Sequence, residues 1–210
     1  MRAYRTNHWG GVSPSGTGSG QQQTHIVAEL LPALMIRHGV RSLLDLPCGD
    51  FTWMAYVKLG DVSYVGADLV PDIVTANNER FGATNRTFVE LDLISSTLPE
   101  TDLILCRDCL VHLSLSDALS ALRNIAGSRI TFLLTTTFPN EPSNAEIVTG
   151  DWRPIDLMKP PFSLPPPVEL LNEGCTEHEG AFSDKSLGMW RVSDLSRDSG
   201  RGLMNGRVDS

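Results

Sequence analysis

The chain has 210 residues, of which 41% are hydrophobic and 20% charged, and a formal net charge of -8. This length and composition predict one globular domain with a substantial hydrophobic core. The acidic balance disfavours a nucleic-acid partner held mainly through its phosphate charges. No apolar run approaches the roughly 20 residues that span a bilayer, and residues 1–10 lack the apolar core of a signal peptide. The four cysteines are too few for a disulfide scaffold, so a reducing cytoplasm is expected and a membrane association is not.

Segments with strand and helix patterns alternate along the chain. Helical spacing of apolar residues predicts helices at 22–38, 51–59, 71–81 and 116–126, with Ser116 as the N-cap of the last. Apolar runs predict strands at 42–46, 62–67, 87–91, 103–106 and 130–135, and shorter ones at 168–171 and 187–192. This alternation predicts a parallel sheet covered on both faces, with the last strands forming an antiparallel edge.

Both ends of the chain differ from this pattern. Residues 10–20 are rich in Gly and Ser, and the tail after Arg197 is polar and rich in Gly. We therefore expect a flexible N-terminal arm at 1–21, one domain at 22–195 and a disordered tail at 196–210. The sequence GTGSG at 16–20 has the glycine content of a dinucleotide-binding loop but follows no predicted strand, which favours a flexible loop.

Polar residues follow each of the first five predicted strands. They are Cys48-Gly49-Asp50, Asp68, Asp92, Arg107-Asp108 and 135–137. Ligands of open α/β sheets bind beyond the carboxyl ends of the strands, and an acid about 20 residues after the first loop can accept hydrogen bonds from ribose hydroxyls. A single Asp at such a place is as well explained by a helix cap or a turn. Acids after successive strands favour a shared nucleoside.

The same segments resemble those of a known family. The sequence LLDLPCGD at 43–50 resembles motif I of class I S-adenosylmethionine (SAM) dependent methyltransferases, and YVGADL at 64–69 and VELDL at 89–93 are similar to their second and third motifs. LILCRDCLVHL at 103–113 resembles their fourth-strand segment. The sequences PCGDFTWM at 47–54 and TTTFP at 135–139 resemble a subgroup of small bacterial methyltransferases. The resemblance covers roughly 13–192.

This resemblance implies a fold, a cofactor and a set of cofactor-binding residues. The fold would be α/β, with a Rossmann-like, seven-stranded, mostly parallel sheet, helices on both faces and an antiparallel C-terminal edge strand. Asp45 would orient the methionine amino group, and Gly49 would let the backbone approach SAM without a side chain in the way. Asp68 would hold the ribose, and Asp92 with Leu93 would meet the adenine. The full set of residues implied to bind SAM is Asp45, Pro47, Cys48, Gly49, Asp50, Asp68, Leu69, Asp92, Leu93, Cys106 and Arg107.

Motif I departs from the family's glycine-rich pattern at two positions. Pro47 stands where the first glycine is common, and Phe51 follows Asp50 where another glycine is common. Proline fixes φ and removes a backbone N–H, so this loop is expected to be stiffer and to offer fewer donors.

Two residues after the fourth strand are candidate catalytic bases for methylation of a hydroxyl. Asp108 is favoured because it lies closer to the strand end, and His112 can titrate near neutral pH. His112 is equally well explained as a hydrogen-bonded histidine that caps the next helix. His25, on the first helix, is a weaker candidate.

The proline-rich segment 139–167 is the expected acceptor-binding segment. Trp152 can stack on a sugar or another flat face, and Arg153 can pair with a carboxylate or phosphate. The alternative is a loop packed on the sheet by Trp152, with Arg153 paired to Asp151.

Cys106 and Cys109 have the CxxC spacing, with His112 three residues further on. A zinc site needs more protein ligands than this segment supplies, so core-facing thiols and no metal are expected.

Taken together, these patterns predict a SAM-dependent methyltransferase that acts on a hydroxyl of a small-molecule or glycan acceptor. A nucleic-acid or protein methyltransferase is the alternative enzyme, and a SAM-binding protein without turnover is the alternative of another class. The sequence leaves the acceptor, the choice of O-, N- or C-methylation and the oligomeric state open.

Overall fold

The computed structural model describes Gly18 and residues 20–195. Except for positions 18, 20 and 21, the expected N-terminal arm lies outside the described residues, as does the expected tail at 196–210.

Seven strands form one sheet in the order β3-β2-β1-β4-β5-β7-β6. The strands are β1 Ser42–Asp45, β2 Ser63–Asp68, β3 Arg86–Glu90, β4 Leu103–Cys106, β5 Phe132–Thr137, β6 Glu169–Asn172 and β7 Ser186–Arg191. The first five are parallel, whereas β7 runs antiparallel to both β5 and β6. This is the predicted Rossmann-like sheet with its antiparallel edge, and the predicted fold class is confirmed.

Helices cover both faces of the sheet because alternate strand residues point to opposite sides. They are α1 Gln21–Arg37, α2 Pro71–Phe81, α3 Leu115–Ala126 and α4 Val192–Leu195. Leu43 of β1 packs in one apolar cluster with Leu31 of α1, while the next residue, Leu44, packs in another with Ala121 of α3. The two clusters together anchor the first loop after β1 from both sides.

Two helix predictions need correction. The helix expected at 51–59 is only a 3-10 turn, Met54–Tyr56, and Phe51 has a left-handed φ of 60° that no α-helix contains. α3 begins at Leu115, and its N-cap is Ser114, whose hydroxyl accepts from the backbone N–H of Asp117 at 3.1 Å. Ser116 therefore lies inside the first turn and does not cap it.

The proline-rich segment 139–167 has neither helix nor strand, yet it forms part of the core. Its side chains Ile155, Leu157, Phe162 and Leu164 are buried in the same apolar cluster as α3. The segment therefore helps to cover the α3 face of the sheet. Within residues 20–195, no helix combines the length and the apolar character needed to cross a membrane.

Candidate active site

The loop after β1 is fastened to the neighbouring strand and helix. The backbone N–H of Cys48 donates to the carbonyl of Ala67 at 2.8 Å, and Asn77 of α2 donates to the carbonyl of Gly49 at 2.8 Å. Gly49 has a φ of 53°, where a side chain would strain the backbone. Its N–H donates to Oδ2 of Asp68 at 3.2 Å. The loop and the end of β2 therefore form one hydrogen-bonded unit.

Asp45, the last residue of β1, is a buried carboxyl group at the centre of this unit. The hydroxyl of Tyr64 donates to its Oδ2 at 2.6 Å. Burial raises the pKa of Asp45 to about 7, although the Tyr64 hydrogen bond and the charge of Arg107 act in the opposite direction. Asp45 therefore changes its charge close to neutral pH.

Asp68 is the second buried carboxyl group, at the end of the adjacent strand β2. It accepts hydrogen bonds from the backbone N–H groups of Gly49 and of Val70, the latter at 3.0 Å. Burial raises its pKa despite these bonds. The next side chain, Leu69, is 55% exposed and offers an apolar face beside this carboxylate.

The other residues expected to bind SAM make local contacts. Asp92 accepts from the N–H of Ile94 at 2.9 Å and from the hydroxyl of Ser95 at 2.7 Å, so its side chain closes a turn, as the simpler explanation had it. The side chain of Leu93 is buried in the core. Asp50 accepts from the N–H of Thr52 at 3.1 Å. Pro47 follows a cis peptide bond with Leu46, and the Cys48 side chain is buried.

A buried ionic cluster of two cations and two anions lies after β4. We call it the ionic cluster, and it consists of Arg107, Asp108, Glu173 and Lys185. Arg107 pairs with Glu173 at 2.6 Å and with Asp108 at 3.3 Å, and Lys185 pairs with Asp108 at 2.7 Å and with Glu173 at 3.6 Å. Arg107 also donates to the carbonyl of Gly18 at 3.0 Å, and its guanidinium lies over the ring of Trp53.

Sequence reasoning missed two members of the ionic cluster. Glu173 and Lys185 lie at the two ends of the loop that joins β6 to β7, next to each strand. Charged residues beside short strands are common at sheet edges, so nothing local in the sequence indicates that both are buried. Only their pairing with Arg107 and Asp108, far away in the chain, allows this burial.

The preference for Asp108 as the catalytic base is not supported. Burial disfavours its charge, but Arg107 and Lys185 outweigh burial and hold its pKa at about 2. Its left-handed φ of 51° and the hydrogen bond from its N–H to Thr136 fix the residue in this position. A carboxylate with so low a pKa accepts a proton poorly, so its role is to hold the two cations.

His112 has the properties of a base more clearly. Its Nδ1 lies 2.8 Å from the carbonyl oxygen of Asp151, and because that oxygen can only accept, Nδ1 carries the proton. Burial lowers the pKa of His112 below its usual value, against the effects of this hydrogen bond and of Asp108. With Nδ1 protonated, Nε2 is the ring nitrogen that can accept a proton. His25 instead lies exposed on α1, with Nδ1 at 2.8 Å from the carbonyl of Gln22.

Arg153, expected to bind the acceptor, directs its guanidinium toward backbone carbonyls. Arg153 is only 4% exposed, and its guanidinium donates to the carbonyls of Ala145, Leu110 and Val111 at 2.7, 3.2 and 3.3 Å. These contacts attach the proline-rich segment to the turn that carries His112. These bonds give Arg153 a structural role, and the alternative pair with Asp151 is not formed.

Trp152, in contrast, is 41% exposed. Its ring packs against Phe182 and Phe138 at centroid distances of 4.9 and 6.2 Å. The loop is held on the sheet by its buried aliphatic side chains, so the position of Trp152 leaves much of its indole available at the surface.

All four cysteines are free thiols. The thiols of Cys106 and Cys109 are within hydrogen-bonding reach of each other, and together with burial this contact raises the pKa of Cys106. Among the described residues, no three His, Cys, Asp or Glu side chains are grouped so that they could hold a metal ion.

Comparison with known proteins supports the fold. No protein-family model matches the chain, and no curated protein matches it significantly. Among solved structures, TnmH aligns with a TM-score of 0.60 and 18% identity over 81% of this chain and 55% of its own. At this identity the likeness shows the fold alone.

Two weaker matches are named as methyltransferases. An O-methyltransferase family protein from Burkholderia thailandensis has a TM-score of 0.49, 17% identity and coverage of 62% of this chain and 47% of its own. Magnesium protoporphyrin IX methyltransferase from Synechocystis PCC 6803, solved with S-adenosylhomocysteine (SAH), has a TM-score of 0.47, 16% identity and coverage of 59% and 60%. The chain spans about half of the length of these solved proteins.

Proposed function

We propose that this chain is a SAM-dependent methyltransferase that transfers a methyl group to a hydroxyl of a small molecule. The observation that carries the proposal is the pair of buried carboxyl groups, Asp45 and Asp68, at the ends of adjacent parallel strands. Asp68 accepts from the N–H of Gly49 in the loop that follows Asp45, and exposed Leu69 lies beside Asp68. This edge is where open α/β sheets bind nucleotides and nucleosides.

The residues present fit the two polar parts of SAM. A carboxylate has about four acceptor positions, so Asp68 retains capacity for ribose hydroxyls after accepting two backbone N–H groups. Asp45 is buried and ionises near neutral pH, which suits a partner that brings its own positive charge, such as the methionine ammonium. Leu69 supplies an apolar contact for the adenine ring.

The chain's own residues supply the proton transfer that methylation of a hydroxyl needs. When bound, SAM supplies an electrophilic methyl group on a positively charged sulfur. His112 accepts the acceptor's hydroxyl proton at Nε2, while the carbonyl of Asp151 holds the ring by Nδ1. The ionic cluster keeps the end of β4 fixed beside this histidine, since Asp108 is bonded to both Arg107 and Lys185.

A small-molecule acceptor, not a glycan polymer or a nucleic acid, fits the observed residues. The formal net charge is -8, and Arg107, Arg153 and Lys185 are buried and paired or bonded to backbone. These cations are therefore not offered to a phosphate backbone. The four free cysteines fit the reducing cytoplasm as the site of the reaction.

Release of SAH in the presence of SAM and an acceptor panel tests the proposal. We expect wild-type protein to release SAH only when an acceptor hydroxyl compound is added, and His112→Gln to bind SAM but release SAH far more slowly. A protein that binds SAM yet releases no SAH with any acceptor would instead be the non-catalytic binder.

A further inference from the structure

A second feature near His112, which the proposed mechanism does not use, is a group of four rings. We call it the aromatic patch, and it consists of Phe138, Trp152, His178 and Phe182. Adjacent centroids are 4.9 Å apart for Trp152 and Phe182, 5.8 Å for Phe138 and Phe182, and 5.4 Å for His178 and Phe182. These distances and the near-perpendicular planes are those of favourable edge-to-face contacts.

The patch is attached to the candidate base on both sides of Trp152. The preceding residue, Asp151, accepts the Nδ1 proton of His112, and Gly150 donates its N–H to the carbonyl of His112 at 2.8 Å. On the other side, the N–H of Arg153 donates to the carbonyl of Val111 at 3.1 Å. The backbone on both sides of Trp152 is therefore bonded to the turn that carries His112.

The burial of the patch is graded from one side to the other. Phe138, at the end of β5, is fully buried, Phe182 is half-buried, and Trp152 and His178 are exposed. An exposed, preorganised group of large rings on a small protein surface is typical of a binding site for an apolar, flat ligand.

The loop between β6 and β7 carries backbone strain at this patch. His178 and its neighbour Glu179 have φ values of 50° and 56°, in the left-handed region that is unfavourable for a non-glycine residue. Two consecutive residues in this conformation present the imidazole of His178 against Phe182. Lys185 fixes the same loop to the ionic cluster.

The chemistry of His112 further restricts the acceptor. A neutral imidazole whose pKa lies below 6.5 is a weak base. A phenol has a pKa of about 10, whereas an aliphatic alcohol has a pKa near that of water, about 16. The pKa of a phenol is therefore several units closer to that of the imidazole. Proton transfer from an aromatic hydroxyl is therefore far less unfavourable than from a sugar hydroxyl.

From the patch and the base together, we propose that the acceptor is a planar aromatic compound with a ring hydroxyl, which stacks on Trp152 and Phe182. The inference rests on the proposed function. The hydroxyl proton goes to Nε2 of His112, the phenolic oxygen forms a bond to the methyl carbon, and the methyl–sulfur bond breaks with its electron pair staying on sulfur to give SAH. This replaces the expected sugar hydroxyl with an aromatic one.

The experiment first separates this proposal from the proposed function. Calorimetry with SAM alone tests cofactor binding, and its failure would remove the methyltransferase itself. SAH release is then measured with 2-naphthol and catechol as aromatic hydroxyl compounds, methyl glucoside as a sugar and benzylamine as an amine. We expect release with the aromatic hydroxyl compounds. Turnover of only the sugar or the amine would overturn the aromatic acceptor and leave the methyltransferase standing.

Variants of Trp152 test the patch directly. Trp152→Ala should raise the KM for 2-naphthol by about tenfold, the loss of one ring contact, with SAM affinity unchanged, and Trp152→Phe should keep a low KM. Tyr56→Ala removes another aromatic side chain, 74% exposed and outside the patch, and should behave as wild type. If no compound is turned over, calorimetry measures 2-naphthol binding to wild-type protein and to Trp152→Ala with SAH present. If wild type does not bind 2-naphthol, or binds it no better than Trp152→Ala, the proposal is contradicted. An unchanged KM in Trp152→Ala contradicts it as well.

Discussion

The ammonium group of Lys185, just before β7, lies 2.7 Å from Oδ2 of Asp108, just after β4 at the same edge of the sheet. Arg107 forms an ion pair with the same carboxylate, and the two cations hold the pKa of Asp108 at about 2. This pair is why we propose His112 as the base and not Asp108, the residue nearest the strand end. It also fixes the loop between β6 and β7, which carries Phe182, against the candidate site.

Separate substitutions of the two candidate bases should therefore affect kcat to different extents. His112→Gln should lower kcat by about a hundredfold, because the proton acceptor is lost, and leave SAM affinity unchanged. Asp108→Asn should change kcat by only a few-fold. It keeps the shape and tolerates the left-handed φ, but it leaves two buried cations with one carboxylate and so lowers the melting temperature.

The pH dependence of kcat distinguishes the same two residues. Burial lowers the pKa of His112, so the wild-type rate should fall on acidification with a midpoint below 6.5. This midpoint should be absent in His112→Gln and present in Asp108→Asn. A profile that loses its acidic limb in Asp108→Asn instead would return the base to Asp108.

The stability of the protein should fall as the pH rises from about 4 to about 7 because of Asp45. Its pKa is raised from 3.8 to about 7 in the folded state, so over this range the folded protein binds a proton that the unfolded chain has released. The contribution to the free energy of unfolding reaches about 4 kcal/mol at most. Urea unfolding at several pH values should show that Asp45→Asn removes this decrease.

Asp102 provides the control of opposite sign for that experiment. Asp102 accepts hydrogen bonds from the N–H groups of Arg41 and Ser42 and from the Ser42 hydroxyl. Burial raises the pKa of Asp102, but these hydrogen bonds outweigh burial and lower it overall. Its stabilisation is present above pH 3.8 and is lost as the pH falls through its lowered pKa. Asp102→Asn should therefore destabilise the protein at neutral pH. If Asp45→Asn and Asp102→Asn changed the pH dependence of the free energy of unfolding in the same direction relative to wild type, the assignment for Asp45 would be wrong.

Arg153 should behave as a structural residue. Arg153→Met removes donors to the carbonyls of Ala145, Leu110 and Val111 and should lower the free energy of unfolding by about 2 kcal/mol. SAM affinity should not change. Val148→Ala, an exposed position in the same segment, is the matched control. Normal stability together with a raised acceptor KM would show that Arg153 binds substrate after all.

Much of the fold follows from short-range patterns in the sequence. Leu43 and Leu44 belong to a continuous apolar run, and the structure buries them on opposite faces of the sheet, as expected for a strand covered on both sides. Asp68 is predicted at a strand end from the strand pattern, whereas the role of Asp45 follows from the family resemblance of motif I. The N-cap of α3 was misplaced by two residues because both Ser114 and Ser116 have the capping side chain, and only the backbone angles select between them.

The candidate site depended more on long-range pairing, which one sequence does not reveal. Lys185 and Asp108 are 77 residues apart, and the pKa of Asp108 is set by that contact. Phe182 was not singled out, since an aromatic residue in a polar loop is as often a packing residue as a ligand contact. Arg153 follows exposed Trp152 directly, and only the fold shows that its guanidinium turns inward to backbone carbonyls.

Calorimetric titration of SAM into wild-type protein and into Asp68→Asn tests most directly whether the edge formed by β1 and β2 binds the cofactor. We predict wild-type binding with a Kd between about 1 μM and 1 mM, the usual range for an enzyme and its substrate. Asp68→Asn should weaken SAM binding at least tenfold, because this is the effect expected from losing one hydrogen bond to a charged group. Glu79→Gln, an exposed carboxylate on α2, should bind as wild type. The absence of SAM binding to the wild-type protein, or equal binding to Asp68→Asn, would contradict this assignment.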